Sequence, residues 1–550
     1  MWKQKIQDFL NQKVDPSWLA ILFVSMVLFI SHSWCFLKGW LIDDAGIAFS
    51  YARNFIHGFG LVSQPGVDPV EGFSDPLWVF ILSPFFINNP ADPTLIVKSL
   101  SLFFVFLGFV FVSKVNRLLF PERPWAMLVT LAVLLSLSIN TSFVIWTSSG
   151  LENPLYFFLT SLCCFVSLKY MMSENRNDSL RGGLVCACLA LTRPEGIIFA
   201  FIFPMLTVMK NMQGGRINRS FGADSAFFLL GFLVPVGLYE AFRYVYFKDV
   251  LPNTYWVKGT GGFFQGSQCH SFADFLKKIT NLLRSMILPP LRWPLFLSTA
   301  LAAFFAFRGF NKSLLASLFL MTCGALSVYC LLPYDWMPHY RFATPFFLCF
   351  YLLVFVLAAA GLSSIRFLSE NARQILFILL TAVFFSQSWL VYWLPAKLFS
   401  RAPTVPFLAV ARHCGFRSNY YAKALKITRP KFLGPDLGGT LYYSHARVYD
   451  LAGLCDRTIG RTINKDIKRL RNYVFETVQP TFIEIHGPWA FRPDLYSDPR
   501  FGRFYTPIFE EKNVNPKNKK KLISLRGFYV RKGSFSEDDL EWLQKHPFSK

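Results

Sequence analysis

The sequence predicts a polytopic α-helical membrane protein of about 11 transmembrane helices with a small extracytoplasmic α/β domain at its C-terminus. Three observations carry this reading. Of 550 residues, 53% are hydrophobic and 16% charged, whereas soluble proteins carry about a quarter charged residues, which argues against a water-soluble enzyme. The mean hydropathy is +0.37, and apolar residues form blocks such as Trp18 to Leu37 and Ile375 to Trp393, long enough to cross a hydrocarbon core of about 30 Å. After Trp393 the composition turns mixed and polar for long enough to build one small domain. The expected division is therefore residues 1–393 in the membrane and residues 394–550 outside it.

The elements follow in order. Lys3, Lys5 and Lys13 precede the first block and place the N-terminus in the cytoplasm. That block is too long for a signal-peptide core and no small-x-small site follows it, so it stays as an anchor. A polar loop, Lys38 to Asp75, emerges on the external side. Pro76 to Phe86 is apolar but too short to span, and reads as a juxtamembrane or re-entrant helix. Spans are expected at Thr94 to Val112, Trp125 to Ile145, Pro154 to Met172, Leu184 to Leu191, Gly196 to Val208 and Ser225 to Tyr246, the two beside Arg193 being short and kinked. An external loop from Phe247 to about Leu283 leads to spans at Leu291 to Phe307, Leu314 to Leu332, Ala343 to Leu362 and Ile375 to Trp393. The basic turns Lys114 to Arg123, Arg308 to Lys312 and Arg366 to Arg373 then fall inside, and an odd number of crossings puts the C-terminal domain outside. In that domain Thr440 to Ser444 and Thr481 to Ile485 read as strands, Asp466 to Val474 as a helix, and Gly434, Gly438, Gly439 and Gly453 as turns.

Lys and Arg number 56 against 33 Asp and Glu, a formal charge of +23. Part is topological, and part lies in the C-terminal segment, which contains Lys517, Lys519, Lys520 and Lys521. Such a surface beside a bilayer favours anionic headgroups or phosphate-bearing substrates. No nucleic-acid reader motif accompanies it, so nucleic acid is not an expected partner. Most of the 11 cysteines sit in apolar stretches as small buried hydrophobes. Cys414 and Cys455 could pair if their segment is extracytoplasmic.

The stretch Leu41 to Trp78, LIDDAGIAFSYARNFIHGFGLVSQPGVDPVEGFSDPLW, carries the chemistry. Asp43 and Asp44 directly follow the first span. Neighbouring like charges raise one another's pKa, and such a group can act as a base for an alcohol or as a metal ligand. The plainer reading is a helix cap before Ala45.

This stretch resembles the GT-C superfamily of membrane glycosyltransferases, which take a sugar from a polyprenyl-phosphate carrier on the extracytoplasmic side and keep an acidic motif in the first external loop. It is most similar to the arabinofuranosyltransferase-like branch, through Ile42 to Ala45, Tyr51 to Asn54, Gly58 to Leu61 and Val70 to Trp78. Weaker echoes are Ser149 to Glu152, Leu191 to Gly196 (LTRPEG), Leu251 to Lys258 (LPNTYWVK), Tyr334 to Pro345 (YDWMPHYRFATP) and Tyr449 to Asp456 (YDLAGLCD). Gly46 departs from the branch, where a bulky residue is more usual after the acidic pair, and so does Tyr334 before Asp335, where a glycine is common.

The resemblance implies a donor of polyprenyl-phosphate-linked sugar and a glycan or glycolipid acceptor. Asp44 is the expected base, with Asp43 positioning it or holding a divalent cation. Arg341, Lys258, His339 and Arg193 are the expected phosphate-directed groups, since Arg binds phosphate as a fork and Lys as a point charge. Asp335 belongs to the Arg341 segment and is grouped with it at the substrate. Glu71 and Glu152 either orient sugar hydroxyls or pair with Arg53 or Arg193. Trp78, Trp256 and Trp336 read as interfacial anchors, and His57 and His270 as solvated or capping residues. The implied protein is a cell-envelope transferase of a bacterial inner membrane. A lipid-linked sugar flippase would instead need polar groups distributed through the spans, and an O-antigen polymerase or ligase leaves the acidic pair without a role.

Overall fold

The computed structural model describes residues 15–173, 175–213, 216–217, 220–259, 272–287, 311–332, 335–515 and 518–548, with the side chain of residue 36 and those from 514 to 522 among the ones left out. The expected span Leu291 to Phe307, the N-terminal lysines, His270, Tyr334 and Lys517 lie outside the described residues, as do the side chains of Lys519, Lys520 and Lys521.

The chain forms two compact units. The first comprises Met1–Gly39, Thr94–Glu240 and Gln268–Thr404; the second comprises Trp40–Pro93, Ala241–Ser267 and Val405–Lys550. The first external loop therefore clusters with the C-terminal sheet domain, where the sequence places it with the spans. The last long helix, Glu370–Arg401, also carries on past residue 393.

In the first unit, helices occupy each expected span in the described residues. Seven are long and apolar enough to cross a membrane, and an eighth counts if the bent pair Arg123–Ile139 and Thr141–Thr147 is one span. The expected unbroken span Trp125 to Ile145 is thus corrected: it bends by 74° at Asn140. There Asn140 Oδ1 accepts from the Phe143 amide at 3.0 Å, and its Nδ2 donates to the hydroxyls of Tyr351 and Tyr392 at 3.0 and 3.2 Å. A cap inside an apolar run starts a second helix. The helices flanking Arg193, Asn177–Thr192 and Ile197–Asn211, have 16 and 15 residues, with Pro204 inside the second.

In the second unit the helix Ala45–Ile56 and the short helix Pro76–Leu82, extended by a 3-10 turn to Phe86, pack beside a five-stranded sheet. Its strands are β1 (Lys431–Gly434), β2 (Arg447–Asp450), β3 (Phe482–His486), β4 (Tyr505–Asn515) and β5 (Asn518–Arg531), in the order β2-β1-β3-β5-β4. β1 runs parallel to both β2 and β3, whereas β5 is antiparallel to β3 and β4. Alternation along β3 sends Ile483 and Ile485 into an apolar core with Leu433, Leu470, Val474 and Tyr529, which leaves Glu484 and His486 on the other face.

The expected strand Thr440 to Ser444 is instead the helix Gly438–Tyr443. Its Thr and Tyr residues favour strands, but β-propensity yields to tertiary context, here the anchoring of both helix ends described below. The expected helix Asp466 to Val474 is present as Ile467–Asn472, with Asp466 as the N-cap accepting from the Arg469 amide. Cys414 and Cys455 are both free thiols, so the pairing left open by the sequence does not form.

Candidate functional site

The sequence motifs sort into two sets, one in each unit, and hydrogen bonds tie each set together.

In the second unit the acidic pair divides its labour. The buried Asp43 carboxylate accepts the Gly438 amide at 3.0 Å on Oδ2 and the Gly439 amide at 2.7 Å on Oδ1, so it caps a helix 395 residues away. Its backbone joins too: the Asp43 amide donates to Val405 O at 3.0 Å and the Phe407 amide to Leu41 O at 2.9 Å. Burial, then the nearby Asp436, push the Asp43 pKa well up, against the pull of the two amides. Asp44 is half-buried at the N-cap position of Ala45–Ile56, and its side chain does not accept from that helix. Neither acid is therefore the simple cap before Ala45.

Both ends of the Gly438–Tyr443 helix are held from the first loop. Arg53 donates to Tyr442 O at 2.9 Å and lies over the Tyr442 ring at 4.3 Å. A carboxylate at the N-terminus and a guanidinium at the C-terminus both complement the helix dipole. Gly46 explains its own departure from the family pattern: a Cβ there would fall 2.4 Å from the Phe407 ring and 2.6 Å from the Gly438 backbone. The two helices approach too closely for a side chain.

Glu71 forms a buried, two-pronged ion pair with Arg243, Nε to Oε2 at 2.6 Å and NH2 to Oε1 at 3.2 Å. Arg53 is not its partner, and Arg243 went unremarked because it sits in an apolar helix, Ser220–Phe247. Tyr51 donates to Val70 O at 2.5 Å and touches Cys455 at 3.7 Å. Asn253 of the LPNT segment donates to the carbonyls of Gly453 and Leu454 at 2.7 and 2.9 Å, joining that segment to the YDLAGLCD turn. Lys258 is half-buried in the helix Asn253–Gly259. Trp78, expected as an interfacial anchor, is wholly buried.

In the first unit Arg193 pairs with Glu152 and Glu195, so the SSGLE and LTRPEG segments are joined by an ion pair. Arg193 and Arg341 each lie 4.7 Å from the centroid of the Phe342 ring. Trp146 Nε1 donates to His339 O at 2.8 Å and Asn153 Nδ2 to Arg341 O at 3.1 Å, fixing the WMPHYRF turn. Arg341 Nε is 2.8 Å from Asp335 Oδ2, though the pair is not aligned as a hydrogen bond.

His339 and Tyr340 both adopt left-handed backbone conformations, with φ of 63° and 53°. Consecutive non-glycine residues in that region store strain, which clusters at functional sites. Burial holds the His339 imidazole below its ordinary pKa. The turn borders a cavity of about 650 Å³ lined by Lys278, Arg284, Asp335, His339 and Arg341 among others, within the size range of ligand sites. Lys278 and Arg284 were missed because the sequence places them in a loop; they sit on the helix Phe272–Met286. The 3.6-residue spacing of Phe272, Phe275, Ile279, Leu282 and Met286 is the signal that reveals it.

Among the described residues no group of three or more His, Cys, Asp or Glu side chains is arranged to hold a metal ion.

No family model and no curated protein matches the chain. Solved structures do. ArnT from Cupriavidus metallidurans bound to undecaprenyl phosphate superposes over 94% of this chain and 98% of its own, with a TM-score of 0.56 and 12% identity. The fold is that of the GT-C glycosyltransferases. The Archaeoglobus fulgidus oligosaccharyltransferase shares it over 92% of this chain and 74% of its own, with a TM-score of 0.55 and 11% identity. The arabinofuranosyltransferase AftD from Mycobacteria shares it over 94% and 42%, with a TM-score of 0.50 and 14% identity. The chain is accordingly an integral, multi-pass membrane protein of GT-C fold.

Proposed function

We propose that this protein is a glycosyltransferase that moves a sugar from a polyprenyl-phosphate donor to a glycan or glycolipid of the cell envelope, in a bacterial inner membrane with its sheet domain on the extracytoplasmic side. The observation that carries the reading is the cation-lined cavity at the strained His339–Tyr340 turn within a GT-C fold. The fold alone would not identify a function; the cavity supplies what a phosphate leaving group needs.

In the proposed reaction the acceptor oxygen bonds to the sugar anomeric carbon as the carbon–oxygen bond to the carrier phosphate breaks. The acceptor proton passes to Asp44, and the phosphate departs as an anion. Arg341, with Lys278 and Arg284 beside it, stabilises that departing charge, which is where fixed cations contribute most. Lys258 is a further cation directed to the donor. Asp43 positions Asp44, because its carboxylate is already engaged by two amides. Glu71, Glu152 and Arg193 hold their segments through ion pairs.

The test is transfer of radiolabelled sugar from polyprenyl-phosphate donors by the purified protein in detergent. Asp44→Asn is expected to lower the rate by about a hundredfold or more, and Arg341→Ala to weaken donor use. Full activity in both variants would remove the proposal. Lipid movement across liposomes without sugar transfer would favour a flippase instead.

A further inference from the structure

A third carboxylate beside the acidic pair is not in any of the family-like segments. Asp436 follows β1 by two residues, in the turn that opens the Gly438–Tyr443 helix. Glu484 and His486 lie on the neighbouring parallel strand β3, on one face of it. These are the carboxyl ends of parallel strands, where ligands of open α/β sheets gather.

The three side chains form a bridge. His486 Nδ1 is 2.9 Å from Glu484 Oε1, and Nε2 is 3.5 Å from Asp436 Oδ2. The other Glu484 oxygen is buried without a hydrogen-bond partner, so the imidazole is the contact that compensates this carboxylate. Asp436 in turn is close enough to Asp43 and Asp44 for their charges to interact. The groups facing the bridge come from each packed element. Glu484 and Asp436 draw His486 toward its charged form, and Arg526, directly opposite in the β3–β5 ladder, opposes them. Asp436 also meets the fields of Glu484 and Asp44, and the buried Cys414 thiol those of Glu484, Asp436 and Asp43.

We propose that His486 is a positioning residue for the transfer reaction: held between Glu484 and Asp436 as an imidazolium, it keeps Asp436 a carboxylate whose charge beside Asp44 makes Asp44 a better base. This rests on the transferase reading and on the assignment of Asp44. A neighbouring negative charge favours protonation of a carboxylate, which is what a base must do when the acceptor hydroxyl gives up its proton. Burial pushes Asp436 up to about 6, with His486 restraining the rise. His486 itself stands at about 9, raised by Glu484 and Asp436 against the effect of burial.

Two measurements test this. The first is NMR titration of histidine-labelled protein, with His486 assigned through His486→Gln. The His486 ring is expected to titrate well above ordinary histidine, and to drop most in Glu484→Gln and by less in Asp436→Asn. An ordinary value in the wild type would overturn the bridge. The second is the pH profile of sugar transfer. The wild type is expected to gain activity through the ionisation of Asp436 and lose it as His486 deprotonates. In His486→Gln the acid limb should move to higher pH, because Asp436 loses its cation, and the rate at pH 7 should fall about tenfold, one pKa unit of base strength. Donor KM should stay unchanged. Asp436→Asn, at a partly exposed position, should give the same loss without the shifted limb.

A wild-type pH profile in a folded His486→Gln protein would overturn the positioning role. If the wild type transfers no sugar from any donor while His486 still titrates high, the transferase reading falls and the bridge survives it.

Discussion

At the scale of single residues, Asp43 and Asp44 are adjacent in sequence and opposite in duty. Asp43 spends both oxygens on the Gly438 and Gly439 amides. Asp43→Asn keeps one acceptor oxygen but turns an NH2 toward an amide, leaving a buried donor unmatched at about 1–3 kcal/mol. We expect it to lower thermal stability as well as activity, whereas Asp44→Asn should lower activity alone; paired melting and transfer assays separate the two. Gly438→Ala is the reciprocal test. Its Cβ would sit 1.7 Å from Asp43 O, so the variant should fail to assemble, read as loss of a monodisperse peak in detergent. None of this division was legible in the sequence. The acidic pair stood out by its place after an apolar block, but its partners are two glycines nearly four hundred positions later, which read as a turn before a strand.

At the scale of elements, separate segments are joined by ion pairs that an apolar pattern hides. Glu71 and Arg243 are buried together, and removing one partner leaves an uncompensated charge. Glu71→Gln or Arg243→Met is expected to destabilise by about 3–5 kcal/mol, and the double substitution Glu71→Leu/Arg243→Met to recover much of it. Thermal melts of the three proteins check this. The helices themselves were legible, because sustained apolar runs have few alternatives. What periodicity could not supply was the break at Asn140 and the helix Gly438–Tyr443 in place of a strand. Each is set by a local polar contact or a tertiary one rather than by mean hydropathy.

At the scale of the molecule, the sheet-bearing unit binds protons on folding. Burial raises Asp450 to about 7 and Asp436 to about 6, and His486 stands at about 9. In each case the folded group holds its proton more tightly than an ordinary one. The native state therefore binds more protons than the unfolded chain, and stability falls as pH rises. The acids withdraw stability from about pH 4 up to their folded values, and His486 withdraws it from about pH 6.5 to its own. The stability that His486 contributes should thus be lost between about pH 6.5 and about pH 9, read as a Tm difference between wild type and His486→Gln that changes across that window. A Tm difference that stays constant there would contradict the assignment. The GT-C fold was legible in the order of motifs along the chain, but their allotment to two units was not. The sequence divides at residue 393, whereas the second unit gathers three separated stretches.

That gathering sets a clock on synthesis. The residues that grip the Gly438–Tyr443 helix emerge 395 positions before it, and at about 5–20 residues per second a ribosome needs roughly 20–80 s to bridge the gap. Throughout that interval the nascent Asp43 carboxylate has no glycine amides to receive it, and for most of it the Phe407 contact does not yet exist. A ribosome stall or truncation anywhere in between would leave this early segment unassembled, an orphan for quality-control proteases to recognise.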